Sequence, residues 1–172
     1  MTSSTELQYL DSLLEEEHTN AGQVTQQYLT FSLGEEHYGI EIQCVQEIRS
    51  WESVTLIPNT PDYICGLLNL RSAIIPVVDL RLRFEMAKKD YNPTTVVIIL
   101  KVNNEQRSTQ RTVGLVVDAV SDTDNINLGE MKPSPDFGEH VDTTYIRGLV
   151  SISGQMVMIL DVDLLLSVEA LA

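Results

Sequence analysis

The sequence predicts an all-β fold with short helices, and two observations support this prediction. Short runs of β-forming residues are separated by turn signals at intervals of roughly 8–12 residues, which is typical of barrels and sandwiches. The chain also contains an internal repeat, in which residues 63–80 align without a gap onto residues 145–162. We therefore expect two similar β-subdomains that pack about a pseudo-twofold axis.

The strands follow from β-forming residues and from the alternation of apolar and polar positions. They are predicted at 28–33, 37–42, 66–70, 73–78, 96–102, 113–117, 148–152 and 156–160, with one more that ends near residue 49. Strands 28–33 and 37–42 are predicted to form one hairpin, and strands 66–70 and 73–78 a second, which turns at Arg71 and Ser72. Pro76 marks a sheet edge or a bulge because proline lacks a backbone N–H. A long polar loop is expected at 103–112, and a final helix near 161–170.

The repeat is supported by five identical pairs in 18 aligned positions, where about one is expected by chance. The pairs are Tyr63/Tyr145, Ile64/Ile146, Gly66/Gly148, Leu67/Leu149 and Asp79/Asp161. Upstream, YGIEI at 38–42 resembles VGLVV at 113–117 with an offset of 75 in place of 82. Each half is too small for an ample core, so the halves should share one, and convergent β patterning is the alternative explanation.

Composition and charge limit the class of protein. The chain has 172 residues, of which 43% are apolar and 21% charged, so it can bury a core without metal ions or disulfides. Its formal net charge of −14 disfavours binding to nucleic acid or to an anionic membrane through a basic face. No apolar run is long enough for direct membrane insertion. Cys44 and Cys65 are expected to be buried thiols of a cytosolic protein, because no Cys/His cluster surrounds them.

An acidic extension at 1–23 precedes the predicted domain at 24–170. Residues 1–48 contain nine acids and no Lys or Arg, whereas the remainder has 16 acids and 11 bases. Ser3 and Glu6 have the spacing of a capping box, and a face of three leucines follows. The extension is either a solvated, partly helical tail or a short helix that docks on a partner or on the domain, since three leucines cannot stabilise an isolated helix.

The sequence contains no recognisable catalytic, metal-binding or cofactor-binding motif. His18, His37 and His140 each lie beside acids in polar segments, where a surface histidine is the usual outcome. Neither a nucleophile elbow nor a glycine-rich phosphate loop is present. We therefore expect no enzyme activity, no metal and no cofactor.

Four side chains are unusual for a plain core. Arg71 lies between two apolar runs, and Glu47 is a candidate partner that would fix two segments against each other, with simple surface charge as the alternative. Trp51 is either an interface residue or half-buried in the core. Phe137, in the Pro-rich segment 132–138, either fills its own core or inserts into a partner.

Seven blocks of the sequence closely resemble the CheW-type chemotaxis coupling proteins. They are YGIEI at 38–42, VQEIR at 45–49, PNTP at 58–61, GLLNLR at 66–71, IPVVDLR at 75–81, VGLVVD at 113–118 and YIRGL at 145–149. The resemblance runs from about residue 27 to about residue 167, and the order of the blocks makes chance implausible.

The resemblance implies two intertwined SH3-like five-stranded β-barrels and no catalysis. It implies a cytoplasmic scaffold, associated with membrane receptor arrays, that couples the tips of methyl-accepting chemoreceptors to the histidine kinase CheA through the regulatory domain of the kinase. A related adaptor of a surface-motility pathway is the alternative, and an unrecognised enzyme or small-ligand binder is a third reading.

The resemblance also implies two sets of site residues. The receptor-binding residues would be Val45, Glu47, Ile48, Gly66 and Arg71, which would line a groove between the barrels. An amphipathic helix in that groove, with Arg71 fixing its register, is a reasonable binding mode. The kinase-binding residues would include Lys132 and Phe137. Ser72 departs from the family, which usually has glycine after the arginine, and serine is costly there if the turn needs a positive φ.

Overall fold

The computed structural model describes residues 24–104, 109–134 and 143–167, and strands are its main secondary structure. The strands are β1 (Thr25–Leu33), β2 (Glu36–Glu41), β3 (Val45–Ser50), β4 (Ile64–Leu70), β5 (Ala73–Asp79), β6 (Val96–Asn104), β7 (Thr109–Val117), β8 (Ala119–Asn127), β9 (Ile146–Ile152) and β10 (Gln155–Leu160). Two one-turn helices, α1 (Leu80–Arg83) and α2 (Val162–Leu165), follow β5 and β10, and 3-10 turns span Ile42–Cys44, Leu128–Glu130 and Thr143–Tyr145. The all-β prediction with short helices is confirmed.

The ten strands form two five-stranded sheets that exchange hairpins between the repeats. Sheet A has the order β8-β1-β2-β10-β9, and sheet B has the order β3-β6-β7-β5-β4. The β1–β2 hairpin of the first half lies between strands of the second half, and the β6–β7 hairpin of the second half lies between strands of the first. Adding five to each strand number of sheet A, and counting on from β1 after β10, gives the strand order of sheet B. The prediction of two intertwined subdomains is therefore confirmed, while closure of each sheet into a barrel stays a prediction.

Each sheet contains one parallel strand pair between the repeats, and the two pairs have equivalent registers. Gly39 on β2 lies opposite Ile159 on β10, and Gly114 on β7 lies opposite Val77 on β5. The sequence offsets of 75 and 82 convert one pair into the other. A Cβ on Gly39 would lie only 2.8 Å from Ile159 Cδ1, and one on Gly114 only 3.2 Å from Val77 Cγ2. These glycines leave room for the facing side chains where the repeats meet.

The main hydrophobic core is shared by the two sheets. Its buried side chains come from both, as Phe31 of sheet A and Ile98 of sheet B illustrate. Two smaller clusters each belong to one sheet, one around Val77 in sheet B and one around Tyr28 in sheet A. The expectation of a shared core is confirmed, since most of the buried apolar residues lie in the cluster to which both repeats contribute.

The repeated aspartates begin the two short helices. Asp79 Oδ1 accepts hydrogen bonds from the backbone N–H groups of Arg81 and Leu82 at 3.0 and 3.4 Å. Asp161 Oδ1 accepts one from the N–H of Leu164 at 3.1 Å. This capping satisfies amide groups that have no partner inside the first helical turn, which is why both repeats carry the same residue there.

Arg83 lies between the two repeat-equivalent tyrosines. Its guanidinium carbon is 5.1 Å from the centre of the Tyr63 ring and 4.9 Å from that of the Tyr145 ring. Arg83 Nη2 also donates a hydrogen bond to Tyr145 Oη at 2.9 Å. The position equivalent to Arg83 in the second repeat is Leu165, which is fully buried. Arg83 therefore joins the two halves at a position that is arginine in the first repeat and leucine in the second.

Several boundaries differ from the sequence-based expectations. The long loop predicted at 103–112 is wrong, because β6 and β7 extend into it and pair as far as Asn104 and Thr109. No strand was expected at 119–127, where few residues are apolar, yet β8 forms because β1 supplies its hydrogen-bonding partner. The final helix is one turn long within the described residues. The extension at 1–23 lies outside them.

The prediction that Pro76 marks a sheet edge or a bulge is wrong. Pro76 lies in β5, which is an interior strand of sheet B, and it faces Leu67 of β4 on one side. On the other side the ladder to β7 begins only at Val77. Leu67 exchanges its backbone hydrogen bonds with Thr55, so the missing N–H of Pro76 costs no bond to β4.

We predict that Arg83→Met lowers the free energy of unfolding by about 1–3 kcal/mol, because it removes two cation–π contacts and a charged hydrogen bond. Urea denaturation of the whole chain measures the change. Lys101→Met, at an exposed position of β6, is the matched control and should change the stability by less than about 0.5 kcal/mol. Equal stability of Arg83→Met and the wild type would show that Arg83 does not hold the two halves together.

Candidate functional site

A bulge in β3 determines how the predicted site residues on that strand are oriented. Val45 faces Leu100 of β6 and Glu47 faces Ile99, so Gln46 is an extra residue without an opposite partner. Facing residues in an antiparallel pair share one side of the sheet, and adjacent residues of β6 alternate sides. Val45 and Glu47 therefore lie on opposite sides of sheet B, although a regular strand would place them on the same side.

The bulge also brings Val45 and Ile48 to the same side of the sheet. Ile48 faces Ile98, which is two residues from Leu100 and so shares its side. Val45 packs against the shared core, whereas 44% of the Ile48 surface remains exposed. The two apolar residues of the predicted site are thus neighbours on one side, and the acid Glu47 is on the other.

Arg71 is at the tip of the β4–β5 hairpin, in a strained two-residue turn. Leu70 pairs with Ala73, and the residues between them, Arg71 and Ser72, have φ values of 49° and 71°. Two-residue hairpins favour such turns because the backbone twist matches the strands, but only glycine adopts positive φ without cost. The sequence-based concern about Ser72 is confirmed, since the turn does require positive φ there.

The equivalent hairpin of the second repeat has the same turn with the expected residue. Ser153 and Gly154 connect β9 and β10 with φ values of 51° and 80°. They correspond to Arg71 and Ser72 at the repeat offset of 82. Glycine therefore occupies the second turn position in one repeat, and serine occupies it in the other.

Arg71 and Glu47 form the ion pair that the sequence predicts. Arg71 Nη2 lies 2.9 Å from Glu47 Oε2, and the Arg71 side chain is 75% exposed against 22% for Glu47. Arg49 Nη1 contacts the other carboxylate oxygen, Oε1 of Glu47, at 3.4 Å, and Arg49 Nη2 contacts Glu52 Oε1 at 2.8 Å. The hydrogen bonds to Glu52 and Glu47 raise the pKa of Arg49. An exposed pair of this kind adds little to stability, so its importance is in orienting Arg71.

Gly66 is required for a close approach of two backbone segments. Its φ is 148°, and a Cβ there would lie 2.3 Å from the carbonyl oxygen of Thr55. Thr55 and Leu67 exchange two backbone hydrogen bonds of 2.9 and 2.8 Å beside it. Gly66 thus positions the segment after β3 against β4, and it contributes no side chain to the site.

Lys132 occupies the matching place in the second repeat. Lys132 and Leu149 exchange two backbone hydrogen bonds, both 2.8 Å long, as Thr55 and Leu67 do. Gly148 lies beside this bridge, and a Cβ on it would be 2.7 Å from the carbonyl oxygen of Lys132. The Lys132 side chain is exposed, and Phe137 lies outside the described residues.

Sequence reasoning missed two members of the site, Arg49 and Glu52. Their signal was the spacing of the charges: Glu47 and Arg49 are two residues apart on one side of a strand, and Glu52 follows three residues later. Exposed apolar side chains are also found nearby in the chain, on Leu56 and Ile74, which are 80% and 68% exposed.

No activated nucleophile is found at the cysteines. Cys44 and Cys65 are free and half-buried, which corrects the expectation of full burial, and desolvation raises the pKa of each thiol to about 11. Both are therefore protonated and unreactive near neutral pH. Tyr91 Oη lies 3.3 Å from Cys65 Sγ, and its ring stacks on Trp51 with the centres 3.9 Å apart. Trp51 is thus half-buried against the core of sheet B.

Comparisons with known proteins agree on one family. The family model described as the CheW-like domain matches residues 27–170. The chemotaxis protein CheW of Klebsiella aerogenes is 43% identical over 149 residues, which cover 87% of this chain and 86% of that protein. CheW of Rhizobium meliloti is 32% identical over 145 residues, which cover 84% and 88%.

Solved structures give the same answer. The crystal structure of the scaffolding protein TtCheW from Thermoanaerobacter tengcongensis superposes with a TM-score of 0.74 at 33% identity, and the match covers 86% of this chain and 91% of that one.

Protein FrzA of Myxococcus xanthus is a more distant relative by sequence, 24% identical over 129 residues, which cover 75% of this chain and 76% of that protein. In the described part of the chain, no helix is long and apolar enough to cross a membrane.

We predict that Ser72→Gly raises the free energy of unfolding by about 1 kcal/mol, because glycine adopts the positive φ of this turn without strain. Gly154→Ser, at the equivalent position of the other hairpin, is the matched control and should lower the stability by a similar amount. Chemical denaturation of both variants measures the two changes. A destabilising Ser72→Gly would mean that the serine side chain supports the turn.

Proposed function

The chain belongs to the CheW-like family, and from this premise we propose that it is a non-catalytic scaffold that couples methyl-accepting chemoreceptors to the histidine kinase CheA. The observation that carries the proposal is the combined match of sequence and fold to CheW proteins over nearly the whole domain. The scaffold brings receptor and kinase into one assembly on the cytoplasmic side of the membrane, where receptor arrays form. The kinase is then active and under receptor control.

The receptor-binding surface includes Val45, Glu47, Ile48, Gly66 and Arg71. Arg71 supports this assignment, because a guanidinium that is 75% exposed retains free N–H donors for an acidic or carbonyl group of a partner. Ile48 offers apolar surface on the same strand as the acid that holds Arg71. Because β3 is the outermost strand of sheet B, an amphipathic helical hairpin, the form of a chemoreceptor tip, can contact Ile48 on one side of that edge and the Glu47–Arg71 pair on the other.

The kinase-binding surface includes Lys132 and Phe137 and contacts the regulatory domain of CheA. Lys132 is supported by its position, since it is exposed and is anchored through its backbone to β9. It occupies in the second repeat the place that Thr55 occupies beside the receptor-binding residues in the first. Two partners can therefore bind equivalent regions of different repeats without competing.

A CheW-like adaptor of a surface-motility pathway is the second candidate. The similarity to FrzA at 24% identity supports this alternative. The higher identity to CheW of Klebsiella aerogenes, 43%, favours the chemotaxis assignment.

We predict that the purified chain activates the autophosphorylation of its cognate CheA only when receptor-containing membranes are also present, and that attractant abolishes the activation. Transfer of labelled phosphate to CheA, measured with each component omitted in turn, tests this. Binding to CheA without activation would point to the adaptor of another receptor system. If the folded chain does not bind CheA, the proposed function is wrong.

We predict that Arg71→Glu weakens binding to receptor membranes and leaves CheA binding unchanged, because it reverses the charge at the hairpin tip and breaks the pair with Glu47. Lys132→Glu is the matched control at the other surface and should have the opposite selectivity. Co-sedimentation with membranes and titration with CheA measure the two affinities. Equal loss of both in a folded Arg71→Glu variant would refute the assignment of the receptor surface.

A further inference from the structure

Glu52, Arg49, Glu47 and Arg71 form a continuous line of alternating charges in the first repeat. We propose that Arg49 and Glu52 are positioning residues, which fix the Glu47 carboxylate and thereby the direction in which Arg71 presents its guanidinium to the receptor. This inference rests on the proposed function, because it assigns the receptor contact to Arg71. It adds two residues that the receptor does not need to touch.

The Glu47 carboxylate is shared between two arginines, one on each oxygen. Oε2 lies 2.9 Å from Arg71 Nη2, and Oε1 lies 3.4 Å from Arg49 Nη1. A glutamate side chain has three rotatable bonds, so a contact on one oxygen alone leaves the carboxylate free to turn. Contacts on both oxygens restrict that rotation. The Glu47 side chain is 22% exposed, which makes it the least exposed of the four side chains in the line.

Arg49 is itself held by a second acid. Its Nη1 contacts Glu47 and its Nη2 contacts Glu52 at 2.8 Å, so one planar guanidinium bridges two carboxylates. The angle between these contacts is set by the rigid guanidinium plane. A lysine at this position would keep the charge but would offer one nitrogen on a flexible stem. Arg49→Lys therefore separates the geometric role of Arg49 from its charge.

Arg71 depends on Glu47 for its orientation. Among the described residues, Glu47 is the acid with which Arg71 forms an ion pair. The Arg71 side chain is 75% exposed. Its backbone lies at the tip of a two-residue turn, away from the core. When a long exposed side chain has one charged contact, the position of that contact sets the orientation of the side chain. Motion of the Glu47 carboxylate is therefore transmitted to the donors that Arg71 offers to a partner.

The protein contains a matched control for this arrangement. Arg147 also bridges two carboxylates, with contacts to Glu41 and, at 3.4 Å, to Asp161. Its side chain is 42% exposed, similar to the 31% of Arg49. Among the described residues, the ion pairs of Arg147 are with Glu41 and Asp161, so Arg147→Lys makes the same chemical change outside the proposed line.

The binding test uses the whole chain and receptor-containing membranes. We expect Arg49→Lys and Glu52→Gln to weaken binding about two- to fivefold, the size of the loss of one exposed ion pair, and Arg147→Lys to leave it unchanged. In an Arg71→Gln background, Arg49→Lys should have no further effect, because Arg49 acts through Arg71. An additive effect of Arg49→Lys in that background, or an equal effect of Arg147→Lys, would overturn the proposal.

A second measurement on the isolated chain separates this inference from the proposed function. Nitrogen-15 NMR of the arginine side chains reports the mobility of the Arg71 guanidinium without any partner. We expect Arg49→Lys to increase that mobility and Arg147→Lys to leave it unchanged. An Arg71 signal that does not respond to Arg49→Lys refutes the positioning role. If the signal responds but wild-type protein does not bind receptor membranes, the proposed function fails while the positioning of Arg71 stands.

Discussion

The reciprocal exchange of two hairpins is the constraint on which the rest of the structure depends. The β1–β2 hairpin completes a sheet made mainly by the second half of the chain, and the β6–β7 hairpin completes the sheet made mainly by the first. Neither sheet exists without both halves, so the largest hydrophobic cluster contains side chains from both sheets. The two halves must therefore fold together, and their relative position is fixed by hydrogen-bonded ladders and by contacts such as those of Arg83.

A symmetric framework with asymmetric surfaces suits a protein that must bind two different partners. The framework repeats in detail: Gly66 and Gly148 each allow a close backbone bridge, and Asp79 and Asp161 each begin a helix. The exposed tips of the two equivalent hairpins differ. One hairpin tip carries Arg71, where the other carries Ser153. The repeat thus provides two surfaces with equivalent backbone structure, and different surface side chains distinguish them.

Charge has a local role in this protein although its net charge is −14. The line from Glu52 to Arg71 contains two acids and two bases, so it adds no net charge, and its contacts are too exposed to add much stability. What such contacts provide is direction, because each restricts the rotation of the next side chain. The β3 bulge is part of this arrangement, since it moves Glu47 to the side of the sheet opposite Val45 and Ile48.

The sequence by itself determined most of the strands, the repeat and the family, because these depend on local patterns and on matching blocks of residues. It identified Glu47 as a candidate partner for Arg71, and the structure showed the pair. Only the tertiary structure decided which strands share a sheet, that β8 forms at 119–127, and that Gln46 is a bulge. It also decided that Arg49 joins Glu52 to Glu47 and that Arg83 lies between Tyr63 and Tyr145. The physical reason is that strand pairing is non-local. A strand such as β8, with few apolar residues, gains its hydrogen-bonding partner from β1, about ninety residues earlier in the chain, and no local pattern encodes that contact.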